Sequence, residues 1–253
     1  MKTEERQHRI LHLVRRTGEV TVAALAAEFK VAPETIRRDL SELERRGLVR
    51  RNHGGAYPVE RPGFESSFGR RATHMVECKQ RIAAAAARLI GDADTLFIDE
   101  GFTHSLLVPE LPADRDLNVL TPSLPTATAI AENSTATVLL LGGTVRGRTL
   151  ATVGSWARDM LSEFVIDLAI MGANGVSREI GLTTPDPVVA KVKAQAVRSS
   201  RRRILMGIHT KFGAKSFCRF AEVKDFEAIV TDTGLTAVEA QRYSLLGPNV
   251  VRV

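Results

Sequence analysis

The sequence contains little cysteine and no long apolar run, and both absences narrow the class of protein. Its cysteines are Cys78 and Cys218, which lie far apart without CxxC spacing or a nearby histidine cluster. The pattern therefore indicates neither a disulfide framework nor a zinc site, and we predict no metal and no cofactor. The N-terminus is charged and no apolar run reaches about 18 residues, which is typical of a chain without a signal peptide or membrane span. We expect a cytoplasmic protein without a membrane partner.

Positive charge is concentrated at the start of the chain. Residues 1 to 56 hold 12 Lys and Arg against 8 Asp and Glu, a net charge of +4, which leaves +2 of the total of +6 for the remainder. A basic segment favours a polyanion as partner, since phosphate contacts supply most of the sequence-independent affinity for DNA. The length of 253 residues is sufficient for a small domain and a larger one with its own core.

Residues 21 to 46 have the pattern of two short helices with a tight joint. Thr21 can cap a first helix, and residues 30 to 32 separate it from a second that begins at Pro33 and ends at Gly47. Apolar residues recur at helical spacing in both: Val22, Leu25 and Phe29 in the first, and Ile36, Leu40 and Leu43 in the second. This spacing predicts a helix-turn-helix whose second helix reads DNA.

The exposed face of the second helix is rich in arginine, whose planar fork suits guanine edges and phosphates. We expect Thr35, Arg37, Arg38 and Ser41 to read the major groove, and Lys30, Arg45, Arg50 and Arg51 to hold phosphates, with Thr21, Glu34 and His53 completing the interface. The alternative is an ordinary amphipathic surface helix whose arginines are solvated.

The flanking segments fit a small winged domain followed by a linker. Residues 4 to 17 predict a helix that packs under the other two. In LVRRNHGGAYPV, two extended runs flank His53-Gly54-Gly55, and paired glycines can supply the positive φ of a tight hairpin. We predict a winged helix-turn-helix domain at 1–57, a Pro- and Gly-rich linker at 58–72, and a helix from about residue 73 to 90. A plain solvated hairpin is the alternative to a wing.

The remainder, residues 73–253, predicts a larger α/β domain. Seven apolar runs alternate with helical segments: TLFID, LNVLT, TVLLLGG, VIDLAIMGA, RILMGI, EAIVTD and NVVRV. Runs that are apolar throughout are typical of strands covered on both faces, and intervening helices indicate a mostly parallel sheet. Ligands of such sheets bind beyond the carboxyl ends of the strands.

The loops after these runs carry the candidate effector residues. Glycines there allow close approach of backbone to a ligand, a helix start can bind an anion, and a lysine adds positive charge. We predict a small anionic ligand held by Asp99, Gly101, Phe102, Thr103, His104, Gly142, Gly143, Gly172, Asn174, Gly175 and Lys211. Ordinary turn chemistry is the alternative for each loop taken alone.

The chain resembles the DeoR family of bacterial transcriptional regulators over nearly its whole length. The resemblance is strongest in ERQHRILHLVRRTGEVTVAALAAEF and ETIRRDLSELERRGLVRRNHGGA, and continues through FIDEGFT, LGGTVR, DLAIMGANGV, GLTTPD, HTKFG and IVTD. It implies a sensor domain similar in fold to ribose-phosphate isomerases and CoA transferases. It also implies a repressor of sugar-metabolism genes that a phosphorylated sugar releases from its operators.

The sequence departs from the family pattern at four positions. Phe102 replaces a small hydroxyl residue beside Glu100, and Val189 and Ile208 stand where family members often carry Glu and Asp. A phenyl ring and a carboxylate would disfavour a phosphate in that loop through bulk and like charge.

Three functions of different classes would fit parts of this sequence. The first is a DNA-binding repressor, acting as a homodimer or homotetramer and controlled by a small anionic effector. The second is a phosphosugar isomerase fused to a DNA-binding domain, for which Asp99, Glu100 and Asp186 are candidate carboxylate bases. The third is an architectural DNA binder without a ligand, which the size of the second domain disfavours. The sequence favours the first.

Overall fold

The structure, a computed structural model, describes residues 3–17, 20–51, 54–58, 67–114 and 116–253. It divides into two compact units, Met1–Arg61 and Pro62–Val253. The side chains of Arg15, Arg50, Pro58 and Arg70 lie outside the description, as does His53. The division falls within the segment 58–72.

The N-terminal unit is a three-helix core with a small antiparallel sheet. Its elements are α1 (Thr3–Thr17), β1 (Val20–Thr21), α2 (Val22–Phe29), α3 (Pro33–Arg45), β2 (Val49–Arg51) and β3 (Gly55–Pro58). Ile36, Leu40 and Leu43 are buried, together with Leu25 of α2 and Ile10 of α1. The predicted helix-turn-helix and its apolar spacing are confirmed.

Residues at the ends of α2 and α3 determine where each helix begins or ends, and so define the turn between them. The Thr21 hydroxyl accepts a hydrogen bond from the Ala24 amide at 3.1 Å, so Thr21 caps α2 as expected. Lys30 then ends α2 in the left-handed region, with φ of 52°. Pro33 occupies the first turn of α3, where a missing amide proton costs nothing.

The wing is a hairpin anchored on both sides. β2 pairs with β3 in antiparallel register, Arg51 opposite Ala56, and β1 pairs with the other edge of β3, Thr21 opposite Gly55. A Cβ at Gly55 would lie 1.8 Å from the Val20 carbonyl oxygen. The expected reason for the paired glycines was wrong, because neither Gly54 nor Gly55 has a positive φ. Gly55 instead permits the close approach of β1.

A buried ion pair joins α1 to α3. The Arg6 Nε donates to Asp39 Oδ2 at 2.5 Å and its Nη2 to Oδ1 at 3.2 Å, while Gln7 Nε2 donates to Oδ1 at 3.1 Å. Asp39 lies on the inner face of α3, 2% exposed. The sequence reasoning missed this network, because charged residues in a helix are read as solvated by default.

The larger unit is built on a seven-stranded parallel sheet with the strand order β15-β14-β12-β9-β4-β5-β6. Its strands are β4 (Thr95–Ile98), β5 (Asn118–Thr121), β6 (Thr137–Leu140), β9 (Ile166–Met171), β12 (Ser200–Met206), β14 (Ala228–Thr231) and β15 (Asn249–Arg252). They coincide with the seven predicted apolar runs, so the predicted α/β fold is confirmed. Separate apolar clusters cover its two faces.

Helices connect and cover these strands. They are α4 (Phe68–Arg71), α5 (Val76–Ala87), α6 (Phe102–Ser105), α7 (Leu124–Asn133), α8 (Ser155–Ser162), α9 (Pro187–Ser199) and α10 (Ala237–Ser244), with 3-10 turns at Val108–Glu110, His209–Lys211 and Val223–Asp225. The helix expected from 73 to 90 is shorter, because Met75 precedes it in the left-handed region with φ of 50°. Residues 68–71, expected within a linker, form α4.

Two small sheets were not predicted. A hairpin pairs β7 (Thr144–Arg146) with β8 (Ala151–Val153), and an antiparallel sheet joins β10 (Gly175–Ser177), β11 (Gly181–Thr184) and β13 (Cys218–Ala221). Unlike the strands of the parallel sheet, these strands are not part of apolar runs in the sequence, and they are too short to show an alternating pattern. Within the described ranges no helix is long and apolar enough to cross a membrane.

Replacement of Asp39 by Ala should destabilise the N-terminal unit by about 3–5 kcal/mol, because it leaves the buried Arg6 guanidinium uncompensated. Hydrogen exchange of α1 and α3 in the full chain would measure this loss as faster exchange. Glu34→Ala, on the exposed face of the same helix, is the matched control and should leave exchange unchanged. Equal exchange in the two variants would contradict the role given to Asp39.

Candidate functional site

A shallow concavity of about 390 Å³ lies between α3 and the wing. It is lined by Glu34, Arg37, Arg38, Ser41, Glu42, Arg45 and Arg51. All of these except Glu42 were predicted from the sequence as DNA contacts. A single surface therefore collects side chains from the second helix of the helix-turn-helix and from the first strand of its wing.

Most arginines of this surface are already held by partners within the unit. Arg45 donates two hydrogen bonds to Glu42, at 2.9 and 2.8 Å, and Arg46 donates a third at 2.7 Å. These bonds, that of Arg45 first, lower the pKa of Glu42 to about 2. The Glu42 carboxylate thus stays ionised at any physiological pH.

Two further arginines have local partners. Arg37 pairs with Glu34 at 2.9 Å, one turn earlier on the helix. Arg51 donates to the Ser41 hydroxyl at 2.6 Å, and its backbone amide donates to Glu44 Oε1 at 2.9 Å. The second contact fixes the first strand of the wing against the end of α3.

Arg38 differs from its neighbours. Its side chain is exposed on the concave surface and makes no hydrogen bond or ion pair with the residues that the structure describes. An arginine without an internal partner presents its whole fork to an incoming acceptor. Among the arginines that line the concavity, Arg38 is therefore the one whose guanidinium is not engaged by another described residue.

The remaining predicted DNA contacts lie at the margin of this surface. Thr35 is half-buried at the start of α3, Lys30 is exposed in the joint, and the Thr21 hydroxyl is engaged in its cap. The Arg50 side chain and His53 fall outside the described residues, so their roles remain predictions.

A second candidate site lies at the carboxyl edge of the parallel sheet. The neighbouring strands β12, β9 and β4 end there, followed by the turn His209–Lys211, by Gly172 and by the loop 99–104. The loop with Gly142 follows the edge strand β6, which β5 separates from β4. The predicted effector loops after β4, β9 and β12 are thus adjacent, and that after β6 is one strand removed.

The Asp99 carboxylate accepts hydrogen bonds from three groups at this edge. Its Oδ2 accepts hydrogen bonds from the Gly172 amide at 2.8 Å and from the Lys193 ammonium, and its Oδ1 accepts from the Glu100 amide at 2.8 Å. Burial raises the pKa of Asp99, but Lys193 and the other partners outweigh it and the net pKa is lowered. Asp99 and Lys193 are both buried. The sequence reasoning predicted Asp99 and missed Lys193.

His104 is a buried neutral histidine packed on Gly172. A Cβ at Gly172 would lie 2.6 Å from His104 Cε1, so only glycine fits beneath the ring. Burial, the largest cause, lowers the pKa of His104 to about 4, against the opposing effect of Asp99. The imidazole is therefore uncharged at neutral pH.

The other predicted glycines divide into two groups. Gly143 and Gly175 are required by packing, because a Cβ would lie 2.4 Å from the Val153 oxygen and 2.5 Å from the Ala214 oxygen, respectively. Gly142 faces open space, and Gly101 has a φ of 125° at the start of α6. The Asn174 side chain accepts a hydrogen bond from the Thr184 hydroxyl at 3.1 Å.

Phe102 packs against the protein's own chain. Its ring meets that of Phe68 edge to face, with centroids 6.0 Å apart, and the Lys79 ammonium lies 5.7 Å from its centroid. Thr103 is half-buried beside it in α6. The other departures from the family pattern, Val189 and Ile208, are buried apolar side chains.

Positive charge gathers around Lys79, which the sequence reasoning missed. Its ammonium is buried and donates to the carbonyls of Arg71 and His74, each at 2.6 Å. Burial and then the charges of Lys211 and Arg71 lower the pKa of Lys79 to about 8. We call Arg71, Lys79 and Lys211 the cation cluster. Arg71 also pairs with the Glu100 carboxylate at 3.7 Å. An anion beside Lys79 would offset the repulsion that Lys211 and Arg71 exert on it.

Two family models match the chain. One, described as the DeoR-like helix-turn-helix domain, matches residues 6–61, and the other, described as the DeoR C terminal sensor domain, matches residues 74–233. Together they cover both structural units.

Individual relatives extend the match to nearly the whole chain. The HTH-type transcriptional regulator GlpR of Haloferax volcanii is 34% identical over 251 residues, or 99% of this chain and 98% of its own length. The Glycerol-3-phosphate regulon repressor of Escherichia coli is 32% identical over 232 residues, 92% of each chain. Among solved structures, ribose 5 phosphate isomerase A from Neisseria gonorrhoeae is 14% identical with a TM-score of 0.40, covering 55% of this chain and 54% of its own.

A winged helix-turn-helix unit combined with an α/β sensor domain defines a DNA-binding transcriptional regulator and not an enzyme. The chain belongs to the DeoR family of such regulators. The resemblance inferred from the sequence motifs is confirmed.

The buried His104 predicts a loss of stability in mild acid. The unfolded chain takes up the His104 proton at the ordinary pKa of 6.5, whereas the folded chain resists until about 4, so protons favour unfolding between these values. The free energy of unfolding should fall by about 3 kcal/mol across that window. Denaturant titrations at several pH values, compared with His104→Gln, isolate this residue from the other histidines. Equal pH slopes in the two proteins would contradict the assignment.

Proposed function

We propose that this chain represses carbohydrate-metabolism genes in the cytoplasm, and that a small phosphorylated sugar or related anion releases it from operator DNA. The concave arginine-lined surface between α3 and the wing is the single observation that carries the DNA half of the proposal. In this proposal residues 1–57 bind DNA, 58–72 connect, and 73–253 sense the effector and form the homodimer or homotetramer. Two copies would place two α3 helices on paired half-sites.

On DNA, α3 would enter the major groove with Arg38 toward base edges. Arg37 would leave Glu34 to reach a base edge in the groove. Arg45 would exchange the Glu42 carboxylate for a phosphate, and Arg51 would exchange the Ser41 hydroxyl for one. Glu34, exposed at the first turn of α3, could accept from a cytosine amino group. The wing strand supports this arrangement, since its Arg51 amide is fixed to Glu44.

The effector half of the proposal depends on the cation cluster. A lysine ammonium has three donors, and Lys79 uses two of them on carbonyls, which leaves one for a ligand. An anion next to Arg71, Lys79 and Lys211 would offset both the burial of one ammonium and the repulsion among all three charges. A phosphate monoester supplies such charge at neutral pH.

Phe102 would have a packing role at this site. Its ring is used in packing against Phe68, so the loop would contribute shape and backbone amides while Lys79 and Lys211 supply the charge. The isomerase alternative is not favoured, because Asp99, its first candidate base, is buried and bonded to Lys193.

The proposal is tested by binding of the full chain to its own promoter DNA and to random DNA at physiological salt. We expect a preference for the promoter, and loss of that complex with one of four probes: glycerol 3-phosphate, fructose 1-phosphate, ribose 5-phosphate or inorganic phosphate. Equal affinity for both DNAs would overturn the DNA assignment. Promoter binding that no probe changes would overturn the effector assignment alone.

Arg38→Ala should weaken promoter binding by about 10-fold or more, because a bidentate base contact contributes roughly 1–3 kcal/mol of discrimination. Arg46→Ala is the control, an arginine at the C-cap of the same helix that is bonded to Glu42 and lies outside the concave surface. Fluorescence anisotropy with promoter and random DNA would separate the two. A loss for Arg38→Ala that is identical on both DNAs would assign Arg38 to phosphate rather than base contact.

Lys79→Met should reduce affinity for the active probe at least tenfold and leave promoter binding intact, since the methionine keeps the apolar stem and removes the charge. In the parent protein, probe affinity should fall as pH rises above about 8, where free Lys79 loses its proton. Calorimetric titration between pH 7 and pH 9.5 would measure both effects. Lys224→Met, at an exposed lysine paired with Glu222, is the control. An unchanged pH profile in Lys79→Met would exclude this lysine.

A further inference from the structure

The parallel sheet ends in two edge strands, β15 and β6, which differ in the residues that prevent association with other strands. Natural edge strands are guarded by charged residues or proline, because their unpaired amides and carbonyls could otherwise pair with another chain. β15 follows Pro248 and contains Arg252. The stretch 133–145, which includes β6, contains no Asp, Glu, Lys, Arg or Pro. The edge at β6 is therefore unguarded.

The outward backbone groups of β6 follow from its bonds to β5. The amides of Thr137 and Leu141 donate to carbonyls of the β5 segment, at 2.8 and 2.9 Å. Alternate residues of a strand direct their backbone groups to the same side. The amides and carbonyls of Val138 and Leu140 therefore point away from β5, and within the described ranges no strand pairs with that side of β6.

The side chains of β6 leave apolar surface at this edge. Leu139 packs against the apolar cluster on one face of the sheet, and Val138 packs against the cluster on the other. Leu140 lies on the same face as Val138 and is 41% exposed. After the turn at 142–143, Val145 of β7 is 49% exposed. The unguarded edge is thus apolar as well as uncharged.

A second copy of this chain is the partner that such an edge fits. A contact across a two-fold axis places a strand antiparallel against its own copy, so that any charge near the axis would face a like charge. A strand of another protein could instead be matched by charges of opposite sign. With Leu139 on the axis, Val138 of each copy would lie opposite Leu140 of the other, and the outward amides and carbonyls of both residues would be paired.

We propose that β6 forms a homodimer interface, at which two copies pair antiparallel about Leu139 and join their parallel sheets into one. This rests on the homodimer or homotetramer of the proposed function and names the surface that forms it. The predicted effector residues Gly142 and Gly143 follow β6 directly, so the interface and that loop share one strand.

Sedimentation velocity of the full chain tests the interface with Leu140→Lys. The added ammonium would lose its water in the paired state without gaining a partner, whereas its long side chain can extend into solvent in the separated copy. We expect the parent to be a dimer or tetramer, and the variant to have half the parent's mass and a dissociation constant raised about tenfold or more. Leu245→Lys, at the 77% exposed C-cap of α10, is the matched control and should behave as the parent.

Leu140→Pro tests the backbone pairing itself. Because the Leu140 amide points away from β5, proline there removes an outward donor and leaves the bonds to β5 in place. We expect the same loss of mass as in Leu140→Lys. Unchanged hydrogen exchange in β4 and β9 would show that each variant is folded.

Amide exchange of the parent gives a second readout. The Val138 and Leu140 amides should exchange more slowly as protein concentration rises, in step with the sedimenting mass, and the Val138 amide of Leu140→Lys should exchange rapidly at every concentration. Slow exchange of these amides in a monomeric parent would show that the chain covers its own edge, and would overturn the proposal.

The outcomes separate this proposal from the one on which it rests. An oligomer that persists in both Leu140 variants would overturn the β6 interface and leave the homo-oligomer standing, and dissociation in Leu245→Lys alone would assign the interface to α10. A parent that is monomeric at every concentration would overturn both the interface and the homo-oligomer. Specific promoter binding by that monomer would still support the DNA-binding assignment.

Discussion

The buried pair of Asp99 and Lys193 is the constraint on which the larger unit depends. It joins the end of β4 to α9, and through the Gly172 amide it also fixes the end of β9. Two opposite charges in such a place are stable only together, since either alone would remain buried without compensation. The loop 99–104 begins at Asp99, so the ion pair between Asp99 and Lys193 fixes the position of this loop at the carboxyl edge of the sheet.

The same constraint underlies the close packing of one part of the candidate effector site. Asp99, Gly172 and His104 are packed so closely that a single added Cβ would collide with the imidazole. Beside the loop 99–104, the charges of Lys211 and Arg71 act on the buried Lys79 ammonium, and Arg71 also pairs with Glu100 at 3.7 Å. Closely packed support beside a group of cations is a general arrangement for a site that recognises an anion.

The main fold could be predicted from the sequence because its strands are apolar runs and its helix ends are marked by single residues. Each strand of the parallel sheet is an apolar run, and Thr21, Pro33 and Gly47 mark helix ends through their own backbone preferences. The two small sheets could not be predicted, since their pairing depends on contacts such as that of Gly175 with the Ala214 carbonyl. No local pattern encodes such a contact.

The candidate sites likewise contain some residues that the sequence predicts and others that it does not. The exposure of Arg38 and its neighbours can be predicted from helical spacing alone. Once the apolar residues of α3 are assigned to the core, these side chains lie on the opposite, exposed face of the helix. Lys79 and Lys193 lie on helices where a charged residue is expected in solvent, and only their burial distinguishes them. Asp39 was missed for the same reason.

The ion pairs of the arginines around Glu42 affect how strongly DNA binding depends on salt. Arg45 and Arg46 share the Glu42 carboxylate in the free protein, and Arg37 is compensated by Glu34. A DNA phosphate that displaces such a carboxylate replaces one fixed anion beside the arginine with another. The carboxylate remains on the protein, so the net positive charge that the protein brings to the duplex is smaller than its number of arginines. The release of condensed cations, and with it the salt dependence of binding, then reflects that smaller net charge.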